Sequence, residues 1–486
     1  MLVPIVMPLP LHKTKLVCTI GPASQSQEVM EQMILAGMNI ARLNFSHGEF
    51  SSHKAVIRGL RAAERSTGRR IAIMSDLPGP KIRIGQIKQG SIQLRAGSTF
   101  TLTTGDITGD ETGVSTTFQH LPQSVKPGDD IFLNDGFIQL EVSNVEGNDV
   151  HCRVVVGGEL RSRKGLNLPD IDLGISAFTE HDCNCLKFSL ENGVDAVSQS
   201  FVERADDIHR LRAAAASLGC NPFIVAKIER SRALNSIDEI IQAADGVMIA
   251  RGDLGVELPI EQMAVVQKKI VHLANMHAKP VITATQMLES MTSNRRPTRA
   301  EATDVANAIL DGTDCVMLSA ESAIGNYPVE SVAMLAKIAT ATEPLRLPIS
   351  PKELFGSIDL KDKVPEARLT DLAIDTILQY SSRAVVFVRT QTGNTARSIV
   401  RLRPAAWIIA ICPREDACRQ MQFSFGVHAV HQLETPREWV AYSRDWLRAH
   451  ELEADLLVLA EGSDEGTSDG GYRMEIANLK RMRETV

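Results

Sequence analysis

The chain has 486 residues, of which 44% are hydrophobic and 23% are charged, and its formal net charge is −7. This balance is typical of a globular protein, and the length suffices for about two to four domains. The acidic net charge argues against nucleic-acid binding, which favours a basic surface, but it still allows a local basic pocket for phosphates.

The cysteines and the N-terminus exclude further classes of protein. The eight cysteines, at positions 18, 152, 183, 185, 220, 315, 412 and 418, lack the paired spacing of a zinc site or a small disulfide scaffold. They indicate reduced thiols and therefore a cytoplasmic protein. Residues 1–12 are apolar but contain prolines and no basic segment, so they predict a flexible leader and no membrane association.

Short apolar runs alternate with helical patterns along most of the chain. Eight of these runs are almost continuously apolar, as parallel strands buried on both faces are. They lie at 16–20, 38–46, 71–77, 195–201, 223–229, 246–253, 279–285 and 314–321. Eight strand–helix repeats predict an α/β fold, a (β/α)8 TIM barrel, as a catalytic domain at 13–78 and 175–345.

Two regions differ from this alternation. Residues 79–174 are rich in Gly, Thr and Asp with alternating β residues, which predicts a small β-barrel lid domain inserted in a βα loop. Residues 346–486 begin with a linker-like stretch and return to α/β alternation. Strand candidates at 384–390, 407–413, 427–433 and 455–462 predict a doubly wound C-terminal α/β domain.

Polar side chains gather at the carboxyl ends of the predicted barrel strands. They are Arg42, Asn44, Ser46, Asp76, Ser200, Lys227, Glu229, Arg251, Asp253, Thr285 and Glu321. A pattern set only by exposure to solvent would spread charges to both ends of the strands. Because barrel enzymes build their sites at this face, we expect the active site there.

Glu229 and Asp253 are the centre of the predicted site. Lys227 and Glu229 stand two residues apart on one strand, so their side chains point to the same side. Asp253 ends the next strand, and two carboxylates on adjacent strand ends suit Mg²⁺ or Mn²⁺. A salt bridge between Lys227 and a carboxylate at the barrel mouth explains the same residues equally well.

The segment Ala250-Arg251-Gly252-Asp253 leads from a strand through a glycine into a short helix. Its exposed N–H groups predict a site for a carboxylate or phosphate, and the alternative is a plain turn. Arg42 and Arg83 carry forked guanidinium groups that suit phosphoryl oxygens, with a surface ion pair as the alternative for each.

Three further residues offer hard oxygens close to Arg42 in the predicted barrel. Asn44, Ser46 and Asp76 end the second and third strands, and together they would fit a cation. A hydrogen-bonded strand end is the alternative interpretation of this group.

Eight segments follow one another between about residues 13 and 340. They are ARLNFSHGE, DLPGPKIRIG, NDGFIQLEV, RKGLNLP, AKIER, MIARGDLGVELP, ITATQMLESM and RRPTRAEATDVANAILDGTDCVMLSAESAIGNYP. In this order they resemble the pyruvate kinase family. In the last of them, Thr298 and Glu301 stand at the spacing of a capping box before a helical pattern. The resemblance implies a glycolytic phosphotransferase that converts phosphoenolpyruvate and ADP to pyruvate and ATP.

The resemblance also implies a role for each matching residue. Lys227 matches the lysine that stabilises the transferring phosphoryl group, Thr285 matches the threonine where the enolate is protonated, and Glu229 and Asp253 match the metal ligands. The other implied substrate residues are Arg42, Ser200, Ala250, Arg251 and Gly252, beside Asp253. The nucleotide and the phosphates are implied to meet Arg42, Asn44, His47, Arg83, Asp135 and Lys164.

Position 81 departs from the pattern of many members, which have an acidic residue there and need a monovalent cation. This chain has Lys81, whose ammonium would supply the charge that potassium brings, so it resembles a potassium-independent bacterial subgroup. Leu77, in place of a frequent Thr, also removes an oxygen ligand. In the alternative interpretation, Lys81 turns outward while Asn44, Ser46 and Asp76 bind potassium.

A hydroxyl-rich loop in the C-terminal domain leads into a helix, which is a geometry that binds phosphate; a solvent turn with a helix cap is the alternative. It resembles the allosteric effector loop of the family, with Thr390, Thr392, Gly393, Asn394 and Thr395 as its residues. A phosphorylated sugar or nucleotide activator is implied, which makes 346–486 a regulatory domain. The acidic segment 461–471 argues against fructose bisphosphate as that activator.

Two other functions compete with this interpretation. An Mg²⁺-dependent aldolase or lyase acting on pyruvate-like enolates would share the carboxylate pair, but it would not need Lys227, Thr285 and the inserted domain together. An inactive metabolite sensor would be expected to lose Lys227, Glu229 or Asp253, and all three are present. The RRPTRAE helix and the C-terminal domain resemble tetramer contacts of the family, so we expect a homotetramer.

Overall fold

The computed structural model describes residues 8–346, 366–381, 383–434, 436–462 and 472–480. Most of the predicted leader, the linker after residue 346 and nearly all of the acidic segment 461–471 lie outside these residues. The first barrel strands are β1 (Lys15–Thr19), β2 (Met38–Asn44) and β3 (Ala72–Leu77), separated by α1 (Gln27–Ala36) and α2 (Phe50–Thr67). Ser26 caps α1, because its side chain accepts a hydrogen bond from the Val29 N–H.

An inserted all-β domain follows β3. Its elements are β4 (Ser91–Leu94), β5 (Thr99–Thr103), β6 (Gly113–Ser115), α3 (Leu121–Ser124), β7 (Asp130–Leu133), β8 (Ile138–Glu146), β9 (Asp149–Val156), β10 (Gly158–Arg161) and β11 (Leu166–Asn167). Six strands form a sheet in the order β11-β7-β8-β9-β5-β6, and β10 pairs with β4. Alternate residues such as Phe100, Leu102 and Leu140 bury a core separate from that of the barrel.

The remaining barrel elements follow the insert. They are α4 (Glu180–Glu191), β12 (Ala196–Gln199), α5 (Ala205–Ser217), β13 (Phe223–Ile228), α6 (Ile237–Ala243), β14 (Gly246–Ala250), α7 (Arg251–Glu257), α8 (Met263–Met276), β15 (Val281–Ala284), α9 (Arg299–Leu310), β16 (Cys315–Leu318), α10 (Ala320–Ala323) and α11 (Pro328–Thr342). The predicted (β/α)8 barrel is confirmed, because β1-β16-β15-β14-β13-β12-β3-β2 form a closed parallel sheet. The capping box at the start of α9 is also present, with Thr298 and Glu301 bonding each other's backbone N–H.

The C-terminal domain has a parallel sheet covered by helices. Its elements are α12 (Glu366–Tyr380), β17 (Ala384–Arg389), α13 (Asn394–Val400), β18 (Ile408–Cys412), α14 (Glu415–Gln420), β19 (Val427–His431), α15 (Trp439–Ala449), β20 (Leu456–Glu461) and β21 (Arg473–Asn478). The sheet order is β19-β18-β17-β20-β21, and the four predicted strands are present. β21 was not predicted, because the residues of this antiparallel edge strand are mostly exposed and so give no apolar run.

The C-terminal domain packs against the amino-terminal end of the barrel, opposite the predicted active site. Lys15 Nζ donates to the Val427 carbonyl at 2.8 Å, and the rings of Phe223 and Phe423 stack with centroids 4.8 Å apart. Because the C-terminal domain covers the amino-terminal end, the carboxyl ends of the barrel strands are left open toward the inserted domain.

Within the described part of the chain, no helix is long and apolar enough to cross a membrane.

Candidate active site

Lys227 lies at the centre of the polar cluster at the carboxyl end of the barrel. Its Nζ is 2.9 Å from Glu229 Oε1 and 3.1 Å from Asp76 Oδ1, and it donates to Ser200 Oγ at 2.7 Å. Burial alone would lower the pKa of Lys227, but Asp76 and Glu229 hold this pKa above its ordinary value. The side chain is therefore a buried, charged ammonium at neutral pH.

Asp76, on β3, contacts side chains from three other strands of the barrel. Its carboxylate accepts hydrogen bonds from Arg42 Nε at 2.7 Å and from Ser198 Oγ at 2.7 Å, besides its contact with Lys227. Burial alone would raise the pKa of Asp76, but Lys227 and Arg42 keep this pKa below its ordinary value. Asp76 is thus an anion that two cations already neutralise, and Arg42 is fixed beside the site, where it also donates to Thr19 Oγ1.

Glu229 and Asp253 form a carboxylate pair, but β14 ends at Ala250, so the prediction that Asp253 ends this strand was wrong. Glu229 is buried and accepts a hydrogen bond from the Phe201 N–H at 2.9 Å, whereas the Asp253 side chain is 32% exposed in the first turn of α7. Burial raises the pKa of Glu229, Lys227 opposes that shift, and the charge of Asp253 adds to it. This repulsion between two hard-oxygen donors is what a divalent cation such as Mg²⁺ or Mn²⁺ would relieve, so the pair fits such an ion.

Further oxygen ligands for such an ion would have to come from water or a bound molecule. In the ranges that the structure describes, no group of three or more His, Cys, Asp or Glu side chains could hold a metal ion. A site with two protein carboxylates and open positions is typical of an ion that also binds a substrate phosphate.

Thr285 connects β15 to the beginning of α7. Its Oγ1 accepts a hydrogen bond from the Gly252 N–H at 2.8 Å and donates to the Ala284 carbonyl at 2.7 Å. Thr285 has φ 68°, a left-handed conformation that a β-branched residue adopts only under strain. One N–H of the predicted anion cradle therefore bonds to Thr285, which holds the threonine hydroxyl next to that cradle.

The Arg251 side chain points away from the carboxylate pair. Its Nη1 is 2.8 Å from Asp304 Oδ2 on α9, and its Nη2 donates to the Thr285 carbonyl at 2.8 Å. The guanidinium therefore holds the strained backbone at Thr285, just after β15, in place. The predicted cradle is therefore left to the backbone from Ala250 to Asp253, in which the Gly252 N–H already donates to Thr285 Oγ1.

Lys81 reaches the site from the segment that leads into the inserted domain. Its Nζ lies 3.7 Å from Asp253 Oδ1, so the side chain turns inward. Asn44 Oδ1 accepts a hydrogen bond from the Ser46 N–H at 3.1 Å, and Ser46 is exposed, as is His47. A cleft of about 630 Å³, lined in part by Lys81 and Asp253, opens between the barrel and the insert.

The predicted nucleotide residues of the insert lie along the edge that faces the barrel. Arg83 Nη1 donates to the Arg163 carbonyl at 3.0 Å, and Lys164 Nζ is 3.9 Å from Asp135 Oδ2. Arg163 is left-handed, with φ 62°. The structure brings Lys164 and Asp135 together, while Arg83 is held on the neighbouring segment.

Arg230 and Glu257 connect the site to residues 168–171, where the chain leaves the insert and returns to the barrel. Neither residue was predicted from the sequence. Arg230 donates to the carbonyls of Leu168 and Ile171 at 3.2 and 3.1 Å, and its Nε is 3.3 Å from Glu257 Oε2. Burial raises the pKa of Glu257 to about 7, although Arg230 opposes the shift. The sequence signal for Arg230 was its place directly after Glu229, and the signal for Glu257 was its place four residues after Asp253 in the same motif.

The predicted effector loop is a compact turn at the start of α13. The Gly393 N–H donates to Thr390 Oγ1 at 2.9 Å, and Gly393 has φ 86°, which favours glycine. Thr392 Oγ1 accepts from the Asn394 N–H at 3.4 Å. Thr395 lies close to Gly462: a Cβ atom on residue 462 would be only 2.5 Å from the Oγ1 of Thr395. Thr390 is buried, so its hydroxyl shapes the turn from inside.

Comparisons with known proteins agree with this geometry. Family models described as "Pyruvate kinase, barrel domain" and "Pyruvate kinase, alpha/beta domain" match residues 11–332 and 369–472. A pyruvate kinase of Thermococcus litoralis is 48% identical over 97% of this chain and 100% of its own length, and pyruvate kinase 2 of Synechocystis is 42% identical over 98% and 80%. A crystal structure of a pyruvate kinase from Cryptosporidium parvum, 32% identical, covers 96% of each chain with a TM-score of 0.88. The chain belongs to the pyruvate kinase family.

Proposed function

We propose that this phosphotransferase moves the phosphoryl group of phosphoenolpyruvate to ADP, giving pyruvate and ATP in the cytoplasm as a step of glycolysis. The observation that carries the proposal is the Lys227 ammonium, which is buried, charged and held beside the Glu229–Asp253 carboxylate pair. Phosphoryl transfer spreads negative charge over several oxygens, and a preorganised cation in a buried site lowers the free energy of that state.

The residues of the chain have distinct roles in this reaction. Lys227 stabilises the transferring phosphoryl group, and Arg42 and Arg83 bind phosphate oxygens on either side of it. The backbone from Ala250 to Asp253 holds the substrate carboxylate, with Ser200 close by. Thr285 lies at the face where the enolate carbon gains a proton, and its strained conformation keeps its hydroxyl there.

The nucleotide occupies the space between the barrel and the insert at Asp135, which lines a second cleft together with Val256 and Leu258 of the barrel. Asn44, His47, Asp135 and Lys164 meet the nucleotide together with the two arginines of the site. Closure of the insert over this cleft would exclude water, which protects the phosphoryl group from hydrolysis.

Glu229 and Asp253 would hold a divalent ion, Mg²⁺ or Mn²⁺, which neutralises charge on the substrate when it is bound. We further propose that potassium is not required. Asp76 is already neutralised by Arg42 and Lys227, and the Lys81 ammonium reaches Asp253 from the insert. A potassium ion at Asn44, Ser46 and Asp76 would have to compete with these cations.

The C-terminal loop at Thr390, Thr392, Gly393, Asn394 and Thr395 is the proposed site of a phosphorylated sugar or nucleotide activator. Its glycine turn leads into α13, the hydroxyl groups of Thr392 and Thr395 are suitable donors to phosphate, and the buried Thr390 hydroxyl holds the turn. Assembly into a homotetramer through α9 and the C-terminal domain is part of the same proposal.

A coupled assay of pyruvate formation from phosphoenolpyruvate, ADP and Mg²⁺ in potassium-free buffer tests the proposal. We expect turnover in the wild type and a loss of at least about 1,000-fold in Lys227→Met. The control is Lys187→Met, at a lysine on the outer helix α4. Turnover only with potassium would overturn the potassium proposal alone. No turnover under either condition, with sugar phosphates present, would overturn the proposed reaction.

A further inference from the structure

A small cavity lies between the base of the barrel and the C-terminal domain, at the opposite end of the barrel from the active site. Lys279 and Asp314 line it from the segments that lead into β15 and β16, and Arg397, Arg403 and Ser424 line it from the C-terminal domain. Its volume is about 10 Å³, so it admits a single monatomic group or water molecule at most and excludes an organic ligand or a phosphate.

The residues lining this cavity carry buried polar atoms without a partner. Among the residues that the structure describes, Arg397 Nε and Nη2, Arg403 Nε and Ser424 Oγ have no hydrogen-bond partner. The exposed fractions of these residues are 9%, 4% and 0%. Buried donors without acceptors are rare in folded proteins, and four such atoms on three residues that line one cavity point to a missing acceptor.

The other contacts of these residues leave the donors available. Arg397 Nη1 donates to the Thr392 carbonyl at 3.0 Å, and its guanidinium lies 5.4 Å from the centre of the Phe223 ring. Arg403 forms an ion pair with Asp314, with Nη1–Oδ1 and Nη2–Oδ2 distances of 2.6 Å. The carboxylate of Asp314 is thereby used, because its Oδ1 also accepts from the Phe425 N–H at 2.9 Å.

The charge around the cavity favours an anion over water. Arg397, Arg403 and Lys279 line the cavity with Asp314 as its acidic residue, and Asp314 is paired with Arg403. Lys279 Nζ donates to the Ala244 carbonyl, and Asp245, outside the lining, is the carboxylate that acts most strongly on Arg397. A water molecule could accept from these donors and donate to an oxygen of the lining, but it would leave the buried positive charge in place. A monatomic anion accepts from every donor at once and offsets a buried positive charge.

We propose that this cavity binds a single monatomic anion of the halide class, held by Arg397, Arg403 and Ser424. The anion would join the C-terminal domain to the base of the barrel. Since Arg397 also holds the Thr392 carbonyl, the bound anion would fix the turn that leads into α13.

Crystals of the full-length protein soaked in bromide give the direct test. Bromide scatters anomalously and water does not. We expect an anomalous difference peak between the Arg397 guanidinium and the Ser424 hydroxyl in the wild type, and no such peak in Ser424→Ala or Arg397→Met. Ordered density without an anomalous signal, or an empty cavity, would overturn the proposal.

Thermal unfolding gives a test in solution that does not depend on crystals. At equal ionic strength, we expect the apparent Tm of the wild type to be about 2 °C higher in chloride than in gluconate, and the difference to saturate. Ser424→Ala should lose the difference. Ser443→Ala should keep it, because Ser443 is an equally buried serine with an unpartnered hydroxyl outside the cavity. Equal chloride effects in the two variants would refute the site.

Discussion

Reversal of the charge at Lys81 is the sharpest test of the proposal that potassium is not required. Lys81 Nζ and Asp253 Oδ1 are 3.7 Å apart, and their side chains are 34% and 32% exposed. Two unit charges at this distance interact by about 4 kcal/mol at an effective dielectric constant of about 20 and by about 1 kcal/mol in water. Because both groups are about a third exposed, solvent screening places the expected effect of Lys81→Glu at about 1–2 kcal/mol.

That free energy corresponds to a loss of about 5- to 30-fold in kcat/KM for phosphoenolpyruvate. The assay compares tetramethylammonium and potassium buffers. The wild type should respond to potassium by less than about twofold, whereas Lys81→Glu should lose activity without potassium and recover with it. Lys88→Glu is the matched control, since this lysine of the insert pairs with Asp110. Strong activation of the wild type by potassium, or an unaffected Lys81→Glu, would refute the reasoning.

Three further outcomes follow from the contacts described. Burial raises the pKa of Glu257 from 4.5 to about 7, so its contribution to stability is full below pH 4.5 and is lost as the pH rises through about 7. In the wild type, the free energy of unfolding measured with urea should fall by about 3 kcal/mol between pH 4.5 and pH 7 because of this group, and Glu257→Gln should abolish that fall. Parallel pH profiles of the two proteins would contradict this role of Glu257. Thr285→Val should lower kcat about 100-fold while Thr285→Ser keeps most activity, and equal rates would exclude a role for the hydroxyl. Thr390→Val removes the acceptor of the Gly393 N–H and should raise the half-activating concentration of the phosphorylated activator about tenfold; an unchanged activation curve would place the effector elsewhere.

The fold could be predicted from local patterns because each pattern has one physical cause. Strands buried on both faces must be apolar throughout, so the eight barrel strands stood out, and the Thr298–Glu301 spacing fixed the start of α9. The edge strand β21 could not be predicted, because an exposed strand is not required to be apolar.

The sequence by itself also determined that Lys227 and Glu229 share one side of a strand, since side chains alternate along it. Only the tertiary structure decided the rest of the site. It joined Asp76 to Lys227, turned the Arg251 side chain toward Asp304, and tied Arg230 to the carbonyl of Leu168. These partners are distant in the chain, and no local spacing encodes which of many charged residues will meet once the barrel closes.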